Sequence, residues 1–465
     1  MSTYSRKNDA SLICVIVISC FLALFNSTAM NAGLPMFMKI FRASVTEVQW
    51  IMIGYTVIMG VASPLAAWFV HRFTLRNYFM YSMLTYALLS LVSGLFANVH
   101  VVIVVRCVQG IAGAALVPVT MMAIYRFIPR HRQPLFLTIQ NMSLSLGPAI
   151  GPVIAGLLLM VLSWRWLFWF SVPFSLLAAF LGARVFPKET PESAEKVDVL
   201  SLVTIVTGSM LVLMAFSLAS HGDSGLMSPL YIGMIVVGLA LCIYFIVRQG
   251  RISAPILNFT PCHNREFSLA LIANVLLSMA LCLAPFVLAI YLQTVRGFSA
   301  FQYGLLLLIP AIFSVGGAPV SQWLYSKVAS KVLIIGGLLF LAVGSLLLGF
   351  STMETSIVLF ISLLCMRYFG IGLMGMPVAD HAMRALPAEQ QDDGSTLINW
   401  AKLMANSFSL SVFTMVYTMV ASDVAGAGSE MLAMVRGVDK VFISSATILA
   451  LGLIPAFLLK REQPK

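Results

Sequence analysis

Stretches of about twenty apolar residues recur along the chain, separated by short connectors that carry most of its charge. An α-helix rises 1.5 Å per residue and the hydrocarbon core of a bilayer is about 30 Å thick, so roughly twenty apolar residues cross it once. Windows of that kind fall at 11–34, 46–70, 78–97, 101–124, 134–160, 164–186, 199–220, 227–247, 268–292, 302–325, 331–350, 354–381, 394–420 and 440–459. The pattern predicts an all-α polytopic membrane protein with fourteen spans. An even number puts both termini on one side.

Composition strengthens that reading. The 465 residues are 60% hydrophobic and 10% charged, against roughly 25% charged in a soluble domain. So few charges cannot cover a water-facing surface of this size, whereas a lipid bilayer solvates an apolar exterior. The net charge of +11 sits in short connectors and not in one stripe or tail, which argues against nucleic-acid binding. It orients the chain instead. Nineteen of the twenty-eight lysines and arginines fall on the side of the N-terminus, six on the other, and Arg106, Arg367 and Lys402 within spans. Both ends are therefore expected in the cytoplasm. "SWRWLFWF" (163–170) then opens the sixth helix at the outer interface, where tryptophan rings are favoured.

Other classes find little support. "MSTYSRKNDA" precedes an apolar run as in a signal peptide, but the run continues to about Leu34 without a small-residue cleavage site, so it is read as a retained first helix. Six of the seven cysteines lie in apolar segments and none forms a CxxC pair. They read as small hydrophobes, with no disulfide frame, metal or other cofactor implied. Neither a Walker A motif nor HExxH spacing is present, which argues against an ATP-driven pump and an intramembrane enzyme.

A weak internal repeat divides the chain. "RCVQGIAGAALVP" (106–118) in the fourth span is echoed by "RYFGIGLMGMP" (367–377) in the twelfth. The eight-helix offset fits an N-terminal six-helix bundle over 1–186, two inserted helices with connectors over 187–267, and a C-terminal six-helix bundle over 268–465. Repeated bundles around a midplane cavity are common among secondary transporters.

These motifs resemble the fourteen-helix drug:proton antiporter branch of the major facilitator superfamily, over nearly the whole chain. "RCVQGIAGAALVP" is similar to its helix-four arginine motif and "GPAIGPVIAG" (147–156) to its helix-five antiporter motif. "WRWLFWFSVP" (164–173) resembles the W-x-W-x-F-x-x-N-x-P signature, with Ser171 in place of Asn. "APILNFTPCHNREFSLA" and "GFSAFQYGLLLLIP" resemble a connector and the entry to helix ten. The resemblance implies the major facilitator fold and proton-coupled efflux of small amphipathic compounds from the cytoplasm. Two motifs depart. The first-helix pattern D-x-T-x-x-N-x-A-x-P reads "NSTAMNAGLP" (26–35), with Asn26 replacing the acid while Asn31 and Pro35 remain. The loop pattern G-x-L-A-D-R-x-G-R-R/K reads "AWFVHRFTLR" (67–76). Ala67, His71 and Thr74 replace Gly, Asp and Gly there, while Arg72 and Arg76 persist.

Arg106 poses the central chemical question. Between Ala10 and Lys188 the only acidic residue is Glu47, expected near the outer surface. An arginine in a membrane span costs at least about 2.5–3.5 kcal/mol on insertion scales and should face the interior or a wet cavity. Its candidate partners are carbonyls, Gln109 one turn away, Asn26, Asn31, or an anionic group of the substrate. It serves either transport or helix bracing. Arg367 and Lys402 carry the same two readings. Gly147, Gly151 and Gly156 allow close helix contact while Pro148 and Pro152 bend the helix, for packing or for rocking. For a titrating group the leading candidate is Asp380, with neighbouring His381 to tune or share the proton; the alternative is that both simply sit at the cytoplasmic interface. His71 reads mainly as a loop residue.

The expected function is secondary active export of small molecules across the cytoplasmic membrane, the inner membrane where there are two. Three cations within spans and an N-terminal bundle without a deep carboxylate disfavour cationic compounds. A dedicated exporter of an anionic metabolite, such as a carboxylate siderophore, is the alternative, and a transport-inactive membrane sensor a third. Partners beyond substrate and lipid, such as a periplasmic adaptor or outer-membrane channel, are not specified by the sequence.

Overall fold

The computed structural model describes residues 9–129, 132–188, 198–219, 228–252, 255–325, 327–387, 390–425 and 430–460. The cations at Arg6, Lys7, Arg130, Lys196, Arg461 and Lys465 and the side chains of His71 and Pro148 lie outside the described residues.

The described chain is helical. Its helices are α1 (Asp9–Phe41), α2 (Val45–Ala62), α3 (Ala66–Phe73), α4 (Leu75–Leu95), α5 (Val99–Gly113), α6 (Leu116–Phe127), α7 (Gln133–Val161), α8 (Trp166–Trp169) and α9 (Ser171–Val185). They continue as α10 (Val199–Ala219), α11 (Pro229–Gln249), α12 (Arg265–Ala289), α13 (Ala300–Tyr325), α14 (Ser330–Leu348), α15 (Ile357–Arg384), α16 (Gln391–Ala425), α17 (Glu430–Leu451) and α18 (Leu453–Leu458). Among the described residues, 13 helical segments are long and apolar enough to cross a membrane. The 29-residue α7 occupies the remaining predicted span. Helices prevail because a bilayer core offers backbone groups no water, and a helix satisfies them internally.

Polar residues set the ends of several helices. Ser44 and Glu47 form a capping box at the start of α2, which accounts for the one acid in that part of the sequence. Asn98 caps α5 and Asn264 caps α12 through their side-chain oxygens. The last span differs most from its expected limits. The sequence pattern starts it at 440, whereas α17 begins at Glu430. Arg436, Asp439 and Lys440 lower the local hydropathy without breaking the helix.

The chain packs as two compact units, Met1–Val199 with Ser299–Gly304, and Leu200–Phe298 with Leu305–Lys465. In the first, α1 lies tightly on α7. A Cβ at Gly147 would fall 2.7 Å from Leu24 Cβ, and one at Gly151 2.6 Å from Thr28 Oγ1. These glycines are what let the two backbones approach. In the second unit α10 and α11 pair through glycines, since a Cβ on Gly208 would lie 2.8 Å from Gly238 O. Gln249 Nε2 ties them by donating to Ser201 Oγ at 2.8 Å. Only 11% of the apolar window of α11 is buried, so this helix presents nearly its whole circumference outward, as lipid contact requires.

Candidate functional site

Arg106 lies on α5 with no solvent exposure. Its Nε donates to Ile51 O at 3.1 Å, and its Nη1 donates to Asn26 Oδ1 and, at 2.7 Å, to Gln109 Oε1. A weaker contact joins Nη2 to Asn26 O at 3.5 Å. The guanidinium stacks on Tyr55, 4.3 Å from the ring centroid, an arrangement that planar, weakly hydrated Arg favours over Lys. Three helices, α1, α2 and α5, therefore meet at one cation whose neighbours are neutral. Asn31, also buried on α1, is not among the groups bonded to Arg106.

The network continues in one direction. Arg106 can only donate, so the Gln109 amide must turn its oxygen toward it and its NH2 away. That NH2 donates to Ser90 Oγ at 2.6 Å and to Tyr86 O at 3.4 Å. Ser90 and Ser171 hydroxyls meet at 2.8 Å, and Ser171 donates to Phe168 O at 2.8 Å. Ser171 is the residue that stands where the resembling signature has Asn; a short hydroxyl here completes the relay to α9. By the same logic Asn26 presents its NH2 elsewhere. Asn26 Nδ2 and the Tyr55 and Tyr86 hydroxyls are buried beside one another, with Tyr86 facing both Tyr55 and Asn26. Three polar groups thus gather beside the guanidinium, and among the described residues none of the groups bonded to it is a carboxylate.

Arg367 on α15 repeats the arrangement in the second unit. It is fully buried, and it donates to Ser345 Oγ at 3.0 Å on α14 and to Ala280 O on α12. Its Nη1 has no hydrogen-bond partner among the described residues. Lys402 is half-buried on α16. The same unit holds an apolar cavity of about 640 Å³ lined by Leu306, Phe313, Phe340, Ile361, Cys365 and Phe369 among others. Phe313 and Phe340 are substantially exposed, so the cavity opens at the surface of this unit, and Cys365, Met366 and Phe369 of its lining flank Arg367 along α15.

At the end of α15 the two neighbours singled out in the sequence part company. Asp380 pairs with Arg384 at 2.6 Å and accepts the Tyr325 hydroxyl, with its side chain 32% exposed. His381 is 1% exposed; Nδ1 shares a 2.9 Å hydrogen bond with Ser330 Oγ, and Nε2 lies 3.4 Å from Glu266 Oε2. Glu266 also accepts the Lys460 backbone N–H at 2.9 Å. Sequence reading overlooked Glu266. The available signal was topological: it stands in the first turn of one span, and His381 in the last turn of another, so both belong to the same membrane face.

Arg72 is exposed, Arg76 half-buried, and His71 contributes backbone to α3. Thr74, at a position where the resembling loop has Gly, adopts φ 72° and ψ 152° and caps α4 by accepting Asn77 N–H at 3.4 Å. Gly147, Gly151, Pro152 and Gly156 lie buried along α7.

Comparison with known proteins agrees with this architecture. The Major Facilitator Superfamily profile matches residues 16–410. An uncharacterized MFS-type transporter of Bacillus subtilis, YhcA, is 31% identical over 414 residues, covering 89% of this chain and 77% of its own. The lincomycin resistance protein LmrB of the same organism is 28% identical over 456 residues, covering 96% and 95%. A bacterial homolog of the human lysosomal transporter Spinster, solved inward-facing and unoccupied, superposes with a TM-score of 0.70 at 13% identity, covering 99% of this chain and 100% of that one. That likeness speaks for the fold alone. The chain is a multi-pass protein of the bacterial cytoplasmic membrane, a transporter and not an enzyme, and it belongs to the Major Facilitator Superfamily.

Proposed function

We propose that this transporter exports small amphipathic compounds in exchange for protons, and that it favours neutral or anionic polar groups over cationic ones. The observation that carries the polarity is the Arg106 centre, where a guanidinium, an amide NH2 and two tyrosine hydroxyls gather without a carboxylate. A cationic compound would bring a second positive charge to a site whose first is balanced only by dipoles, at a cost that a dry interior magnifies. Efflux as the direction draws on LmrB, which is named for lincomycin resistance. Coupling is assigned to His381 with Glu266. Imidazole is the side chain that ordinarily changes charge between pH 5 and 8, and here it is buried against a carboxylate. Asp380 is the lesser candidate because Arg384 already neutralises it.

The same centre also suits the alternative, a dedicated exporter of an anionic metabolite. The experiment that tests polarity is counterflow in proteoliposomes with dyes of one scaffold bearing a carboxylate, a hydroxyl or an amine. Uptake of the carboxylate and hydroxyl forms ahead of the amine supports the reading. Preference for the amine overturns it.

A further inference from the structure

The apolar cavity of about 640 Å³ has no part in the scheme so far, and its lining lies wholly within the second unit. It is a wedge between two helices that touch at one end only. Ser321 Oγ on α13 donates to Leu373 O on α15 at 2.7 Å. One turn earlier, a Cβ on Gly317 would fall 2.9 Å from Phe369 O and 3.1 Å from Gly372 Cα, so the two backbones are in contact there. Before that point they part. The cavity is lined from Leu306 to Phe313 on α13 and from Ile357 to Phe369 on α15. Pro310 falls within the parting stretch of α13, and a proline inside a helix bends it.

By the charge-derived orientation both helices run inward from outer loops, so the wedge opens in the outer half of the bilayer. Helix rise makes the stretch from Ile357 to Phe369 ~18 Å long, and half of the hydrocarbon core is ~15 Å thick. The wedge is therefore one leaflet deep, and the glycine contact shuts it near the midplane. Only Ser362 and Cys365 interrupt its apolar walls. Its third wall is Phe340 of α14, exposed on the same outward surface as Leu339 and Val343. The mouth thus faces lipid. A space lined in this way does not hold water, and leaving it empty forfeits contacts along both helices.

A cation stands at the outer end. Arg296 Nη1 donates to Met353 O at 2.9 Å and to Thr355 O at 2.8 Å, and Ile357 opens the lining two residues later. Tyr291 donates its hydroxyl to Thr352 O at 3.0 Å and stacks on Phe360 with ring centroids 4.6 Å apart. These contacts fix the loop, and Arg296 with it, against the outer ends of α12 and α15. The hydrogen bonds of Arg296 among the described residues all use Nη1. Its Nε and Nη2 remain to donate to a phosphate, which guanidinium binds well. Glu354 is exposed on the same loop and forms no ion pair with Arg296 among the described residues.

We propose that the wedge holds one acyl chain of an outer-leaflet phospholipid whose phosphate is bound by Arg296. Depth, apolar walls, a sideways mouth and a cation at headgroup level select this occupant over an apolar solute, which would have no use for the arginine. The chain supplies α13 and α15 with the contacts that they do not give each other above the Gly317–Gly372 crossing.

The test is native mass spectrometry of the delipidated full chain, titrated with phosphatidylglycerol and with a diacylglycerol of the same chains. Wild type should bind one phosphatidylglycerol at least tenfold more tightly than further copies, and at least tenfold more tightly than the diacylglycerol. Ser362→Trp fills the wedge from an exposed wall position and should weaken that first site at least tenfold. Ile312→Trp places the same bulk on α13 outside the lining and should leave the site intact. Ile309→Trp fills the wedge from the opposite wall and takes the place of Ser362→Trp if that variant does not fold. Arg296→Gln should bind the two probes alike. Wild-type binding by the filled variants overturns the proposal. So does a wild type without one site stronger than the rest, or an Arg296→Gln variant that keeps the preference for phosphatidylglycerol.

Discussion

His381 Nε2 lies 3.4 Å from Glu266 Oε2, joining the last turn of α15 to the first turn of α12. In the proposed scheme this contact holds the transported proton. Replacing His381 with Gln keeps a hydrogen-bonding side chain that does not take up a proton. We expect proton-driven efflux to fall at least tenfold, equivalent to about 1.4 kcal/mol or more, with counterflow preserved. Equal loss of both activities would assign His381 a purely structural part. The same comparison on Asp380→Asn should show little change in coupling.

Asn26→Asp restores an acid beside Arg106. The carboxylate would take over the bond that Asn26 Oδ1 now makes. Charge-assisted hydrogen bonds contribute about 1.5–3 kcal/mol, so the variant should fold well. Its centre, no longer net positive, should admit cationic dyes, and the cation-to-anion transport ratio should rise about tenfold or more. An unchanged ratio in a folded variant would separate Arg106 from substrate selection.

Thr74 occupies positive φ with a β-branched side chain, a conformation costing on the order of 1–3 kcal/mol. Glycine adopts it freely, while exchanging the Thr cap for Gly sacrifices only a few tenths of a kcal/mol. Thr74→Gly should therefore raise thermal stability in detergent by about 1 kcal/mol. A lower melting temperature would show that the threonine cap matters more than the backbone geometry.

Gly147→Ala pushes a methyl group to within 2.7 Å of Leu24 Cβ and 3.2 Å of Phe25 N. Backbone has little room to yield, and overpacking typically costs about 1–3 kcal/mol. We expect a destabilised first unit, read as a lower melting temperature, and weakened transport.

The helical class and thirteen of the fourteen spans were legible because twenty apolar residues in a row admit few other structures. Part of the neighbourhood of Arg106 was too, since an arginine in a span must find neutral partners: Gln109 and Asn26 bond it, whereas Asn31, an equal candidate in the sequence, does not. The relay through Ser90 and Ser171 was not legible. Serines are common in spans, and only packing of α4 on α9 reveals that two hydroxyls meet. The early start of α17 was hidden by Arg436, Asp439 and Lys440, whose charge lowers hydropathy although the helix runs through them. The His381–Glu266 contact was missed for a different reason. His381 was paired with its chain neighbour Asp380, but residues i and i+1 point to different sides of a helix, so the partner had to come from another element.

The most direct test of the account is substrate-driven proton movement by the wild-type protein, reconstituted in liposomes with a lumenal pH dye and offered carboxylate, hydroxyl and amine forms of one amphipathic compound. The account predicts proton movement opposite to substrate, driven by the carboxylate and hydroxyl forms. Compounds that cross without protons, or protons moved by the amine form alone, would contradict it.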